Sequence, residues 1–137
     1  MPLEAKLKRS YPQKLKNQIL LIENDSEFRF TLTRLLNKEN FNTISVENYD
    51  QARSFLDKMI IRLVIYGLNT PVKDSLVILK EIKNHKQNPE LLILSSFNWC
   101  EIQRELSSIK VSKILIKPIK KENLISTIFN LCNYRSG

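Results

Sequence analysis

The sequence is poor in the residues that interrupt or staple a chain. Only two glycines and five prolines occur in 137 residues. That excludes a collagen-like or Pro/Gly-rich disordered chain and argues against a β protein with many tight turns. The two cysteines, Cys100 and Cys132, are far apart and form no Cys-x-x-Cys pair. No disulfide scaffold can be built from them, and a reducing cytoplasm is the expected location. The longest apolar runs are four residues, as at 19–22 and 91–94, far short of a membrane span. No charged start leads into a long apolar stretch, so no secretory signal is read. A glycine-rich phosphate loop is also missing, which counts against nucleotide binding.

What is present is one domain's worth of chain, 42% apolar and able to bury a sizeable core. The net charge is +8, and it is unevenly placed. Residues 1–16 carry +4, residues 110–121 carry five lysines and no acid, and the remainder is nearly balanced at −1. Such zones suit an acidic partner, whether nucleic acid, an anionic surface or an acidic protein, or are simply solvated lysine-rich surface.

Residues 1–16 lack a sustained apolar period and read as a basic tail or linker. From residue 17 to 133, short Ile/Leu/Val runs alternate with amphipathic helical patterns. Strands are expected at 18–23, 42–46, 62–66, 91–95 and 113–116, several continuously apolar as strands buried on both faces are. Between them, Phe28, Leu32, Leu35 and Leu36 share a helical face, as do Ala52, Phe55, Leu56 and Met59. Leu76, Leu79 and Ile82 mark a third helix, Ile102, Leu106 and Ile109 a fourth, and Leu124, Ile128 and Leu131 the last. Asn24, Asn48 and Asn98 each precede a Glu or Gln by three and are expected as helix caps, with Asp74 capping the third helix.

The alternation predicts an α/β fold, (βα)5, with right-handed crossovers and a doubly wound parallel sheet in the flavodoxin-like order 2-1-3-4-5. Such a sheet places its functional crevice at the C-terminal ends of the strands, at the switch between the first and third. Glu23, Asn24 and Asp25 end the first strand, Gly67 the third, Ser95 the fourth and Lys117 the fifth. An acid, a hydroxyl and a lysine should therefore converge.

This set resembles the response-regulator receiver domain, the CheY-like family, over residues 17–133. The matching pieces are LLIENDSEFR at 20–29, NTPVKDSLVILKEIK at 69–83, LLILSS at 91–96 and LIKPIKKENL at 115–124. The Lys-Pro after the fifth strand, in register with the others, makes the match specific. The resemblance implies two acids after the first strand that hold Mg²⁺, a phosphoacceptor Asp after the third, a hydroxyl after the fourth and a phosphate-contacting lysine after the fifth. Mg²⁺ wants hard oxygen ligands, and the lysine stabilises phosphoryl charge. Glu23, Ser95 and Lys117 match. Asn24 stands in place of the second acid, with Asp25 one residue later, and Gly67, four before Pro71, stands at the phosphoacceptor position. Ser75 replaces a usual glycine and Ile114 a common aromatic.

The expectation is a degenerate receiver, not an enzyme, with weak or no Mg²⁺ binding and no metal or other cofactor of its own. It would act as a phosphorylation-independent signalling and protein-interaction module in a two-component-type pathway or phosphorelay. Lys117 is expected to pair with Glu23, since a buried lysine without a partner is costly. Ser95 either changes rotamer on an input or caps nearby backbone. His85, the single histidine, lacks neighbours for phosphotransfer, and Cys100 and Cys132 are expected half-buried. The last helix carries a second stripe, Ile125, Phe129 and Cys132, beyond what one core face needs, which either packs against the rim of the sheet or stays exposed for a partner. The receiver resemblance implies that the fourth helix, fifth strand and last helix form the face for a protein partner or a homodimer, and here Trp99, Ile114, Lys120 and Lys121 join the stripe as its candidate residues. An output domain is expected to follow residues 134–137. Two alternatives stand beside this reading: an accessory nucleic-acid binder using the basic zones, and an anion sensor using the vacated crevice.

Overall fold

The computed structural model describes residues 18–98 and 102–136, with side chains to Cys132. The tail, Trp99, Cys100 and Glu101, and with them the second half of the expected Asn98–Glu101 cap, lie outside the described residues. Strands β1 (Gln18–Ile22), β2 (Asn42–Val46), β3 (Leu63–Leu68), β4 (Glu90–Ser95) and β5 (Lys113–Ile116) form one sheet in the order β2-β1-β3-β4-β5. Every pair is parallel. Helices α1 (Ser26–Lys38), α2 (Tyr49–Lys58), α3 (Val72–Asn84) and α4 (Lys121–Ser136) cover it. Residues 102–109 make helical turns, with Leu106 N–H donating to the Ile102 carbonyl, where the fourth helix was expected.

Burial follows the strand order. All five residues of β1 are buried, whereas edge strands β2 and β5 are mostly half-buried. Side chains alternate across the sheet. Leu20, Ile22, Val64, Tyr66, Leu91 and Ile93 pack against Ala52, Leu56, Val72, Leu79 and Ile82 and the 102–109 turns. Ile19, Leu21, Leu63, Ile65, Leu92 and Leu94 pack on the other face against Leu32 and Leu36 of α1 and Leu124, Ile128 and Cys132 of α4. Among the described residues no helix is long and apolar enough to cross a membrane.

Several local expectations change. The helix α1 begins one residue later than the Asn24–Glu27 spacing implies. Its cap is Asp25, whose carboxylate accepts from Phe28 N–H at 3.1 Å, and Asn24 does not cap it. A carboxylate at this position also faces the positive end of the helix dipole. Asn48 does cap α2, accepting from Gln51 N–H at 3.0 Å, while the Gln51 side chain accepts from Glu47 N–H. Asp74 is not the cap of α3. That helix starts directly after Pro71, which offers no side-chain acceptor, and Asp74 sits inside the first turn. There its carboxylate faces the positive end of the helix dipole instead. The third strand runs on to Leu68 because Gly67 and Leu68 pair with Leu94 and Ser95. Cys132 is fully buried rather than half-buried, packed with Leu124 and Ile128.

Candidate functional site

The C-terminal ends of β1, β3, β4 and β5 meet as the topology requires. Glu23 directly follows β1 and is 1% exposed. Its side chain folds over Gly67. A Cβ built on Gly67 would lie 2.0 Å from Glu23 Oε1 and 2.7 Å from Cδ. The Glu23 carboxylate occupies the space that any side chain at residue 67 would enter, and a cavity of about 240 Å³ remains beside it, bordered by Asn24, Gly67, Asn69 and Thr70.

That carboxylate is held by its surroundings. Oε2 accepts from Asp25 N–H at 3.0 Å and from the Asn69 side-chain amide at 2.7 Å. Oε1 is buried without a hydrogen bond, but Lys117 Nζ stands 3.6 Å away. The anticipated Glu23–Lys117 pair is present. Lys117 also donates to Asn69 Oδ1 at 2.8 Å and lies 4.3 Å over the Phe28 ring, a cation–π contact. Arg29, one turn further along α1, donates to the Glu23 carbonyl at 2.6 Å and fixes the backbone at the same residue.

Asn69 is the hub of the site, and it went unnoticed among the sequence candidates. Its amide nitrogen donates to Glu23 Oε2 and, at 3.0 Å, to Asn24 Oδ1. Its oxygen accepts from Lys117 Nζ and from Ser96 Oγ at 3.1 Å. Both polar ends of one amide are thus used, joining β1, β3, β4 and β5. The available signal was position: Asn69 is two residues after Gly67, at the mouth of the same crevice. Asn24 is exposed, and this amide is its partner.

Ser95 is completely buried, and its hydroxyl closes on Phe97, accepting from its N–H at 2.9 Å and donating to its carbonyl at 3.1 Å. This matches the backbone-capping alternative. Ser75 is buried with its hydroxyl 3.1 Å from Tyr66 Oη, so the side chain that replaces a glycine finds a partner on β3. Nearby, burial and the Glu81 carboxylate push the Tyr49 phenol up to about 12. His85 is tied to Asp57 through Nε2 at 3.1 Å and accepts from Gln87 N–H at Nδ1, away from the crevice.

Mg²⁺, which the receiver resemblance implies, takes an octahedron of hard oxygens anchored by one or two available carboxylates. Here the Glu23 carboxylate is matched by the Lys117 ammonium, Asn24 is neutral, and Asp25 is committed to capping α1. The donor set as arranged does not fit Mg²⁺.

The remaining candidates are scattered. Ile114 packs partly into the core on one face of the sheet and Ile125 on the other. Lys120 and Lys121 are exposed, and Phe129 is 56% exposed. Lys121, Ile125 and Phe129 line a groove of about 450 Å³ along α4 that also takes in Glu39. The lysines of 110–121 do not form one patch. Lys110 and Lys113 lie at the start of β5, Lys117 enters the crevice beyond its other end, and Lys120 and Lys121 lead into α4.

Solved structures share this architecture. A CheY-like receiver domain protein from Methanospirillum hungatei superposes with a TM-score of 0.78 at 11% identity, covering 88% of this chain and 96% of that one. The receiver domain of a Pseudomonas aeruginosa sensor histidine kinase, solved with magnesium in its active-site cleft, gives 0.74 at 16% identity, covering 85% and 98%. Among sequence relatives, the two-component response regulator-like protein APRR3 of Arabidopsis thaliana is 28% identical over 127 residues, 88% of this chain but 26% of that protein. The Regulator of RpoS of Escherichia coli K12 is 28% identical over 120 residues, 87% of this chain and 35% of that protein. The chain therefore spans only about a quarter to a third of these two relatives. Residues 19–129 match the response regulator receiver domain, and the chain belongs to that family.

Proposed function

We propose that this receiver domain signals through protein contact without an aspartyl phosphate, as an atypical module of a cytoplasmic two-component-type pathway. The supporting observation is the Glu23 carboxylate lying over Gly67. Acyl phosphate formation needs a carboxylate oxygen as nucleophile, and glycine has none. The neighbouring carboxylate meanwhile engages Lys117, the lysine that the receiver pattern reserves for a phosphoryl group. An internal anion thus stands in for the added one. The domain is read as a binding module and not an enzyme.

Its contact surface is assigned to α4 and the adjoining β5 edge: exposed Lys121 and Phe129 line a groove with half-buried Ile125 on α4, with exposed Lys120 just before the helix and half-buried Ile114 on the edge strand. The occupant would be a protein partner, a second copy or an output domain.

Incubation with acetyl phosphate and Mg²⁺, followed by intact-mass measurement, tests the first part. No phosphoryl adduct is expected, and a stable adduct on any carboxylate, Glu23 included, would overturn it. Sedimentation across a concentration series tests the surface: association is expected to weaken in Phe129→Glu, and identical behaviour of the two proteins with the native partner or with themselves counts against it.

A further inference from the structure

At the opposite end of the strands from the crevice, α3 ends beside residues 108–110. Between them lies a cavity of about 570 Å³, lined by Lys80, Lys83, Asn84, His85, Asn88, Ser108, Ile109 and Lys110. The volume is that of a single small-molecule site. Its wall holds three lysines, two amides and a hydroxyl, and no acid.

The lysines have different origins. A lysine in the last turn of a helix is favoured by the helix dipole, which accounts for Lys83, whose ammonium also donates to the Pro89 carbonyl at 2.8 Å. It does not account for Lys110, which arrives from a separate segment 27 residues later. Lys80 and Lys110 are exposed, and neither makes an ion pair with a described residue. His85 is engaged elsewhere: its Nδ1 accepts from Gln87 N–H and its Nε2 lies 3.1 Å from the Asp57 carboxylate.

The geometry points to a binding site for a compact, multiply charged phosphate-bearing small molecule. The exposed Lys80 and Lys110 ammoniums, with the partnered Lys83 beside them, suit a clustered anionic charge, because lysine binds phosphate as a mobile point charge. Asn84 and Ser108 add polar atoms for the remaining oxygens. The lining contains no Phe, Tyr or Trp, so nothing there would stack a nucleobase. The positive charge also surrounds a hollow rather than following a stripe, which disfavours a nucleic-acid strand. This inference is independent of the state of the Glu23–Lys117 site.

Inorganic pyrophosphate is the probe, titrated into the full chain by calorimetry with a parallel amide-shift titration. Saturable binding of one equivalent is expected, with shifts confined to residues 80–88 and 108–111. The double variant Lys80→Gln/Lys110→Gln should weaken it at least tenfold, while Lys120→Gln/Lys121→Gln leaves it unchanged. Absence of saturable binding overturns the proposal, as does equal weakening by both variants. Tighter binding of a single-stranded oligonucleotide that displaces pyrophosphate would reassign the cavity to nucleic acid and equally overturn it.

Discussion

Substituting Gly67 by alanine gives a result whose sign depends on the Glu23 arrangement. Gly67 lies within β3 and its φ is not positive. In such a position alanine ordinarily stabilises a protein by about 0.4–1 kcal/mol, because it narrows the unfolded ensemble. Here the new Cβ would meet Glu23 Oε1 at 2.0 Å and Cδ at 2.7 Å, so the carboxylate must leave. Leaving breaks the bonds from Asp25 N–H and the Asn69 amide and separates the charge from Lys117. Hydrogen bonds to a charged group contribute about 1.5–3 kcal/mol each. Part of that is recovered as the displaced carboxylate reaches water at the end of the strand. The expected net effect is a loss of about 2 kcal/mol. Urea unfolding of wild type, Gly67→Ala, Glu23→Ala and the double variant measures it. In the Glu23→Ala background the alanine should be neutral or stabilising, giving a coupling of roughly 2 kcal/mol. Stabilisation by Gly67→Ala in the presence of Glu23, or the same change in both backgrounds, would refute the reasoning.

Asp25→Ala should cost about 1 kcal/mol in the same assay, as the loss of an N-cap does, while Asn24→Ala should cost under about 0.5 kcal/mol. Equal losses would return the cap to Asn24. Lys117→Met strands the Glu23 carboxylate in a site where it is 0% exposed, whereas the lysine itself is 22% exposed. A loss of about 2–3 kcal/mol is expected, less than for a wholly enclosed pair, and adding Glu23→Gln should recover most of it. Burial pushes the Cys132 thiol from 9.0 up to about 11. In a Cys100→Ser background, native protein at pH 8 should react with a thiol reagent far more slowly than unfolded protein. Because the unfolded thiol ionises first, the thiol should also lower folding stability as pH rises from 9 to about 11. Fast native reaction at pH 8 would contradict the burial.

Much of the fold was legible because it rests on local periodicity. Continuous apolar runs marked β1, β3 and β4 as central strands, and the alternation of strands and helices led to the order 2-1-3-4-5. The cap assignments were less secure. Asn24 and Asp25 are neighbours with similar side chains, and only the point at which the backbone turns helical chooses between them. The Pro71 start of α3 likewise overrides the better capping side chain at Asp74.

The site divides in the same way. The glycine at 67, the acid at 23 and the lysine at 117 are properties of the sequence, and the sheet topology was enough to bring the last two to one crevice, while their pairing was expected from the receiver resemblance, which leaves Lys117 without an Asp at 67. That Glu23 covers Gly67 was not readable, because it follows from the side chain's path once β1 and β3 are paired in register. Asn69 gained its role the same way. An amide gives no periodic signal, and this one matters only because it lies within hydrogen-bonding distance of residues 45, 46, 27 and 48 positions away. The basic segment 110–121 shows the reverse. Contiguous in sequence, it is divided by a strand that advances roughly 3.3 Å per residue, leaving Lys110 beside Lys80 and Lys83 at one end of the sheet and Lys117 with Glu23 at the other. Sequence determines which charges exist and which segments become strands; parallel register decides which of those charges meet.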